Sequence, residues 1–208
     1  MNTTQKTIGV LALQGDFEAH KRVFEGLGWK TEEVRTKRDL DSVDALVIPG
    51  GESTTLGKLL ARIGLDTEIT QRANEGMPLF GTCAGMIMLA KRIQDRPEQP
   101  SLQLMDITVA RNAFGRQVES FETDIPFRLG GDSETIVHGV FIRAPYVVET
   151  GKGVEILSLF HDKIVAVRQG NRLAIAFHPE LTNDSRVHAY FAKMVESGSI
   201  TGDCSPLP

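Results

Sequence analysis

The chain has 208 residues, 41% hydrophobic and 24% charged, which is the composition of a globular protein long enough to bury a substantial core. A formal net charge of −4 leaves no basic footprint for nucleic acid or an anionic membrane surface. No apolar run approaches the roughly 20 residues that span a bilayer, and the apolar stretch after polar residues 1–7 is too short for a secretory leader.

In chain order, residues 7–13 form a continuous apolar run, as expected of a strand buried on both faces. Residues 17–27 then place Val23, Phe24 and Leu27 at helical spacing, with Gly28 as the C-terminal stop. A second strand is predicted at 30–35 and a third at 44–48, ending at Pro49-Gly50-Gly51. From about Ser53 a helix carries Leu56, Leu59, Leu60 and Ile63 on one face, and another spans about 66–74. Next comes Met77-Pro78-Leu79-Phe80, then Gly81-Thr82-Cys83-Ala84-Gly85-Met86, then apolar residues 87–90, which reads as strand, turn and helix. Strands alternating with helices imply a parallel sheet with helices on both faces.

The second half has a different rhythm. Residues 94–101, with Pro97 and Pro100, read as a loop on the surface. Short strands are predicted at 107–110, 117–121, 136–142, 147–149, 156–160, 164–168 and 173–176. Turns such as Gly130-Gly131-Asp132 and Gln169-Gly170-Asn171 separate them. Helix returns only at 185–196. The fold class is therefore α/β, a mostly parallel central sheet flanked by helices, with additional antiparallel strands in the second half. Residues 1–208 are expected to form one domain, with a mobile tail at about 198–208.

The densest chemical signal is Gly81-Thr82-Cys83-Ala84-Gly85 between a strand and a helix. This is a nucleophile elbow with sulfur in place of a serine oxygen. Its glycines permit strained backbone angles and close approach of neighbouring chain. The turn presents Cys83 at the carboxyl end of a strand and at a helix N-terminus, where the dipole favours negative charge. Taken alone, the motif is also compatible with an ordinary buried cysteine. The other cysteine, Cys204, sits in the tail, and both read as free thiols in a reducing compartment. No C-x-x-C or H-E-x-x-H spacing supports a metal.

A thiolate that attacks a carbonyl needs a base and a group to orient the base. Among the five histidines, His178 stands out, because it follows a predicted strand and opens His178-Pro179-Glu180. With Pro179 holding an extended segment, Glu180 can bond one imidazole nitrogen while the other faces Cys83. By residue type alone, a satisfied structural histidine is the commoner fate. His20 and His188 fall on predicted helices and are expected to be solvated, while His138 and His161 sit at strand edges. An oxyanion needs backbone donors: Ala84 N–H by elbow geometry, and a second from a loop such as Gly50-Gly51-Glu52-Ser53. Those glycines equally suit a plain tight turn, and no P-loop lysine follows them.

Six blocks then match a family in order: residues 13–16 (Leu-Gln-Gly-Asp), 49–55 (Pro-Gly-Gly-Glu-Ser-Thr-Thr), 81–86, 111–117 (Arg-Asn-Ala-Phe-Gly-Arg-Gln), 141–145 (Phe-Ile-Arg-Ala-Pro) and 178–180. With them the chain resembles the class I, or triad, glutamine amidotransferases, whose fold is flavodoxin-like. Within that class it is most similar to the glutaminase subunits of pyridoxal 5′-phosphate synthases. The resemblance implies that Cys83 attacks the side-chain amide of L-glutamine, with His178 as general acid and base and Glu180 orienting it. It implies an oxyanion hole from Gly51 and Ala84, and substrate contacts from Gly51, Glu52, Ser53, Arg111, Ile142 and Arg143. It implies no cofactor and no metal, a cytoplasmic hetero-oligomer, and a synthase subunit as the partner receiving ammonia. The Gln14-Gly15-Asp16 loop and the helix after it are the expected docking face. A glutaminase serving another synthase, a catalytically silent regulatory subunit and a γ-glutamyl peptidase are the alternatives. The 111–117 block argues against the first of these and an intact Cys83, His178 and Glu180 against the second.

Overall fold

The structure is a computed structural model that describes residues 5–111, 120–130 and 133–198. Its strands are β1 (Thr7–Leu11), β2 (Lys30–Val34), β3 (Ala45–Ile48), β4 (Leu79–Thr82), β5 (Ala90–Ile93), β6 (Met105–Ala110), β7 (Ser120–Arg128), β8 (Glu134–Ile142), β9 (Tyr146–Thr150), β10 (Glu155–Phe160), β11 (Lys163–Gln169) and β12 (Arg172–Ile175). Its helices are α1 (Phe17–Gly26), α2 (Lys37–Asp41), α3 (Ser53–Ile63), α4 (Leu65–Asn74), α5 (Ala84–Leu89) and α6 (Arg186–Glu196), with a 3₁₀ turn at Pro179–Leu181.

One sheet runs in the order β2-β1-β3-β4-β12-β11-β9-β6-β5, with β10 paired to β11. The pairs β1–β2, β1–β3, β3–β4 and β4–β12 are parallel, while β11–β12, β9–β11, β6–β9 and β10–β11 are antiparallel. The expected parallel half and antiparallel half thus share one continuous sheet. β7 and β8 form a separate antiparallel ribbon. No helix among the described residues is long and apolar enough to cross a membrane.

Local chemistry sets the element ends. The Asp16 carboxylate accepts from Ala19 N–H at 3.1 Å and starts α1. Leu27 and Gly28 end it, Gly28 at φ +84°. The strands β1, β3 and β4 are buried along their whole length, as a parallel sheet covered on both faces requires. Along β4, Phe80 and Thr82 face α1 and α6. Phe80 lies 5.3 Å from Phe191 between ring centroids, and Phe24 lies 6.2 Å from Phe191. Gly81 faces the other way, onto α5. Each buried phenylalanine of this layer contributes about 1.5–3 kcal/mol. A second aromatic cluster sits beneath the ribbon, where Phe121 stacks on Phe141 at 4.8 Å and on Phe160 at 5.4 Å.

The structure departs from sequence expectation at particular points. The short helix α2, between β2 and β3, was hidden by its polar composition, and a capping box on Thr36 and Asp39 holds it. The helix after Cys83 stops at Leu89, and Ala90 opens β5 instead. Every residue of α5 is buried, so a continuous apolar run carried no boundary signal. The 117–121 strand reaches to Arg128, while residues 117–119 and the tail with Cys204 lie outside the described residues, as does Gly131-Asp132.

The fold is closely packed around the elbow. A Cβ on Gly85 would collide with the carbonyl of Ile48, and one on Gly81 would collide with the backbone of Gly85. These are backbone atoms of the sheet and of α5, which cannot move aside cheaply. Gly85→Ala should therefore lower unfolding free energy by about 1–3 kcal/mol, read from urea denaturation of the two proteins.

Candidate active site

Parallel pairing of β4 with β12 aligns Thr82 with Ile175, and Cys83 N–H donates to Ile175 O at 2.8 Å. Cys83 follows at φ +50°, ψ −102°, an angle that costs a non-glycine residue about 1–3 kcal/mol. It caps α5 and is buried. Its Sγ lies 3.8 Å from Ile142 O at the end of β8.

His178 lies just past β12, and its backbone N–H donates to Val140 O at 2.8 Å. Its Nδ1 is 2.7 Å from Glu180 Oε1, and the Cys83 side chain is near enough to the ring to raise its proton affinity. Because Nδ1 is engaged by the carboxylate, Nε2 is left for the sulfur. Burial pulls the imidazole pKa down, but bonds to Cys83 and Glu180 outweigh it and raise the value to about 10. His178 therefore keeps its second proton at neutral pH. Glu180 is buried, yet His20 and His178 beside it hold its carboxyl well below the usual range. The expectation of an extended His-Pro-Glu segment is corrected: Pro179–Leu181 is a single 3₁₀ turn, with His178 as its cap. The turn still brings the imidazole and the carboxylate together.

Gly50 lies directly against this ring, and a Cβ there would run into His178 Cε1. Only glycine lets the β3 turn approach so closely. Gly50 N–H donates to Thr82 Oγ1 at 3.0 Å, which fixes the turn beside the nucleophile. Gly51 follows at φ +151°, and Gln14 Nε2 donates to Glu52 O at 2.6 Å. The Gln14-Gly15 loop is thus in contact with the Gly50-Gly51 turn.

Glu52, Ser53 and Arg111 form a second cluster. The Glu52 carboxylate caps α3, accepting from Thr54 N–H at 3.1 Å and Thr55 N–H at 2.7 Å. Arg111 Nη2 is 4.0 Å from Glu52 Oε1, and Arg111 Nη1 donates to Gln99 Oε1 at 2.9 Å. Gln99 in turn donates to Ser53 Oγ at 3.0 Å. Gln99 was missed in sequence because its loop reads as a surface excursion; in the structure it is buried and joins Ser53 to Arg111. Ile142 and Arg143 lie at the end of β8, both exposed, with Arg143 at φ +43°. Asn112 to Gln117 of the arginine block lie outside the described residues.

A model of the SNO glutamine amidotransferase family matches residues 10–197. The chain belongs to that family. It is 53% identical over 192 residues to a Pelotomaculum thermopropionicum protein named pyridoxal 5′-phosphate synthase subunit PdxT, covering 92% of this chain and 96% of that one. Identity to the Herpetosiphon aurantiacus protein of the same name is 56% over 188 residues, with coverage of 89% and 98%. A solved structure described as a glutamine amidotransferase aligns with TM-score 0.85 at 52% identity, over 91% of this chain and 98% of its own. A putative GMP synthase subunit from Thermoplasma acidophilum, 17% identical with TM-score 0.69, shares the fold.

The family context leaves two histidines unexplained. His20 and His188 are fully buried, contrary to the expectation of solvated rings. The signal was present: His20 lies four residues before Phe24, and His188 three before Phe191, so both sit on the apolar stripe of their helices.

The capping carboxylate of Glu52 has a pH signature. Hydrogen bonds from Thr55 and then Thr54, against partial burial, lower its pKa from 4.5 to about 2. A depressed carboxyl contributes stability that is complete above 4.5 and lost as pH falls toward 2. Glu52→Ala should melt on the order of 2–4 °C below the parent at pH 6. That gap should narrow as the pH of the thermal scans drops from 4.5 toward 2.

Proposed function

We propose that this chain is the glutaminase of a pyridoxal 5′-phosphate synthase, hydrolysing L-glutamine to L-glutamate and passing the ammonia to a synthase subunit. The observation that carries the reading is the His178 imidazole hydrogen-bonded to the Glu180 carboxylate and placed beside Cys83, whose strand is paired with β12. The names of the relatives support the choice of synthase. The whole chain acts as one domain, a reading supported by the shared sheet, and works in the cytoplasm as part of a hetero-oligomer.

In this mechanism Cys83 Sγ attacks the side-chain carbonyl carbon of glutamine. The carbonyl oxygen becomes an oxyanion, held by the N–H groups of Gly51 and Ala84. His178 Nε2 gives its proton to the leaving nitrogen, so ammonia departs and a γ-glutamyl thioester remains. The same nitrogen then takes a proton from water, whose oxygen attacks the thioester, and glutamate leaves as the sulfur is restored. Glu180 holds Nδ1–H throughout and stabilises the imidazolium. The substrate's ammonium and carboxylate call for an acid and a guanidinium at fixed distance from the sulfur. Glu52 with Arg111 or Arg143 supplies that pairing, with Ser53 and Ile142 completing the pocket. Contact between the Gln14-Gly15 loop and the Gly50-Gly51 turn suits a partner docking there to set the second oxyanion donor.

Cys83→Ala should reduce glutamine hydrolysis by at least about 10³-fold while circular dichroism and melting stay near the parent. Glu180→Gln should cost less, since packing retains part of the orientation. Residual turnover above a few per cent in Cys83→Ala, with the synthase subunit present, would exclude the mechanism. The pH profile of kcat/KM should fall on its alkaline side as His178 loses its proton near about 10, and a profile flat through that range would contradict the assigned acid.

A further inference from the structure

Behind the candidate triad lies a buried polar chain that glutamine hydrolysis, as derived above, does not use. His20 on α1 and His188 on α6 are both fully buried, with His20 Nδ1 3.0 Å from His188 Nε2. His20 Nε2 is 3.4 Å from Glu180 Oε2 and 3.2 Å from Thr82 Oγ1. That carboxylate oxygen is the one not engaged with His178; it is buried and has no hydrogen bond among the described residues, and His20 Nε2 is the ring nitrogen that faces it. Thr82 Oγ1 also accepts Gly50 N–H. Two helices therefore each supply a histidine to a core position where an apolar residue would otherwise pack against Phe80, 6.0 Å from the His20 ring and 5.8 Å from the His188 ring.

The proton positions follow from satisfiability. Glu180 Oε2, as a carboxylate, only accepts, and a bare His20 Nε2 3.4 Å away would set lone pair against lone pair, so Nε2 carries the hydrogen. His188 Nδ1 is buried without a partner among the described residues. An orphaned N–H is rarer in folded proteins than an orphaned lone pair. His188 Nδ1 is therefore bare, its proton is on Nε2, and that N–H donates to His20 Nδ1. Burial, with His20 beside it, lowers the His188 pKa to about 3, which keeps this ring neutral. The direction of donation then runs from His188 to His20 to Glu180.

We propose that His20, oriented by His188, is a positioning residue for Glu180, facing its second carboxylate oxygen at 3.4 Å while the Thr82 hydroxyl ties the same ring to the Gly50-Gly51 turn. The inference rests on the triad reading. With Oε1 bonded to His178 Nδ1 and the Nε2–H of His20 facing Oε2, rotation of the carboxylate away from His178 loses both interactions, so the imidazolium keeps its partner as charge moves during the reaction. The groups facing His20 are Glu180 from the 3₁₀ turn, Thr82 from β4 and His188 from α6. His178 and Cys83 are reached through Glu180, and Asp184 acts on His188.

The test compares His20→Leu, which fills the volume without a donor, with His20→Gln, whose amide nitrogen can occupy the Nε2 position. Glutamine turnover with the synthase subunit present, and iodoacetamide alkylation of Cys83 without it, are measured against pH. His20→Leu should lose about 10–100-fold in kcat with KM within about twofold, and its alkaline limb should move to lower pH as His178 holds its proton less tightly. His20→Gln should recover most of the loss. A folded His20→Leu with parental kcat, alkylation rate and pH limb would overturn the proposal, as would a His20→Gln no better than leucine. The parent chain offers a check free of folding: ¹⁵N-histidine spectra should show His20 protonated on Nε2 and His188 bare on Nδ1, and a bare His20 Nε2 would overturn the proposal. Turnover that survives Cys83→Ala would instead overturn the triad reading, so the two failures are separable.

Discussion

The parallel pairing of β4 with β12 is the contact on which the site depends. It joins the end of the first half of the chain to the last strand of the second, with Thr82 opposite Ile175 and Cys83 N–H bonded to Ile175 O. Side chains alternate along a strand, so a slip of one residue would turn Thr82 away from His20 and misplace the sulfur relative to the imidazole. The bond from His178 N–H to Val140 O then fixes the end of β12 against β8, whose last residue, Ile142, presents its carbonyl to the sulfur. Three strand ends thus converge through backbone hydrogen bonds before any side chain chemistry is considered.

That convergence requires strain, and packing supplies what holds it. Cys83 sits at a positive φ that would relax in an isolated peptide. It persists because α5 is buried throughout and lies against Ile48 at a distance only Gly85 allows. The same crowding recurs at Gly50, where bare backbone lies on the His178 ring. Sequence glycines in these turns are therefore space requirements as well as conformational ones.

Electrostatics imposes a further constraint. A buried carboxylate is costly unless its oxygens are met by donors. Glu180 has His178 hydrogen-bonded to one oxygen and the His20 ring 3.4 Å from the other, and His20 and His188 occupy the aromatic layer beside Phe24, Phe80 and Phe191. Glu52 is the opposite case, an exposed carboxylate stabilised by the first amides of α3.

Much of this was legible in the residues themselves. Hydrophobic period placed the main strands and helices of the first half to within a residue or two, apart from the polar α2 and the α5–β5 boundary, because strands buried on both faces and amphipathic helices carry different patterns. The elbow at Cys83 and the late His178-Pro179-Glu180 were visible because both are local. What depended on distant chain was not visible: that the two halves share one sheet, that Gln99 folds inward to join Ser53 and Arg111, and that His20 and His188 are core residues. Sequence by itself determined which residues could carry the chemistry, since residue type and local turn geometry are properties of short segments. Tertiary structure alone decided which of them meet, because strand order and the burial of a polar ring are settled by contacts between segments far apart in the chain.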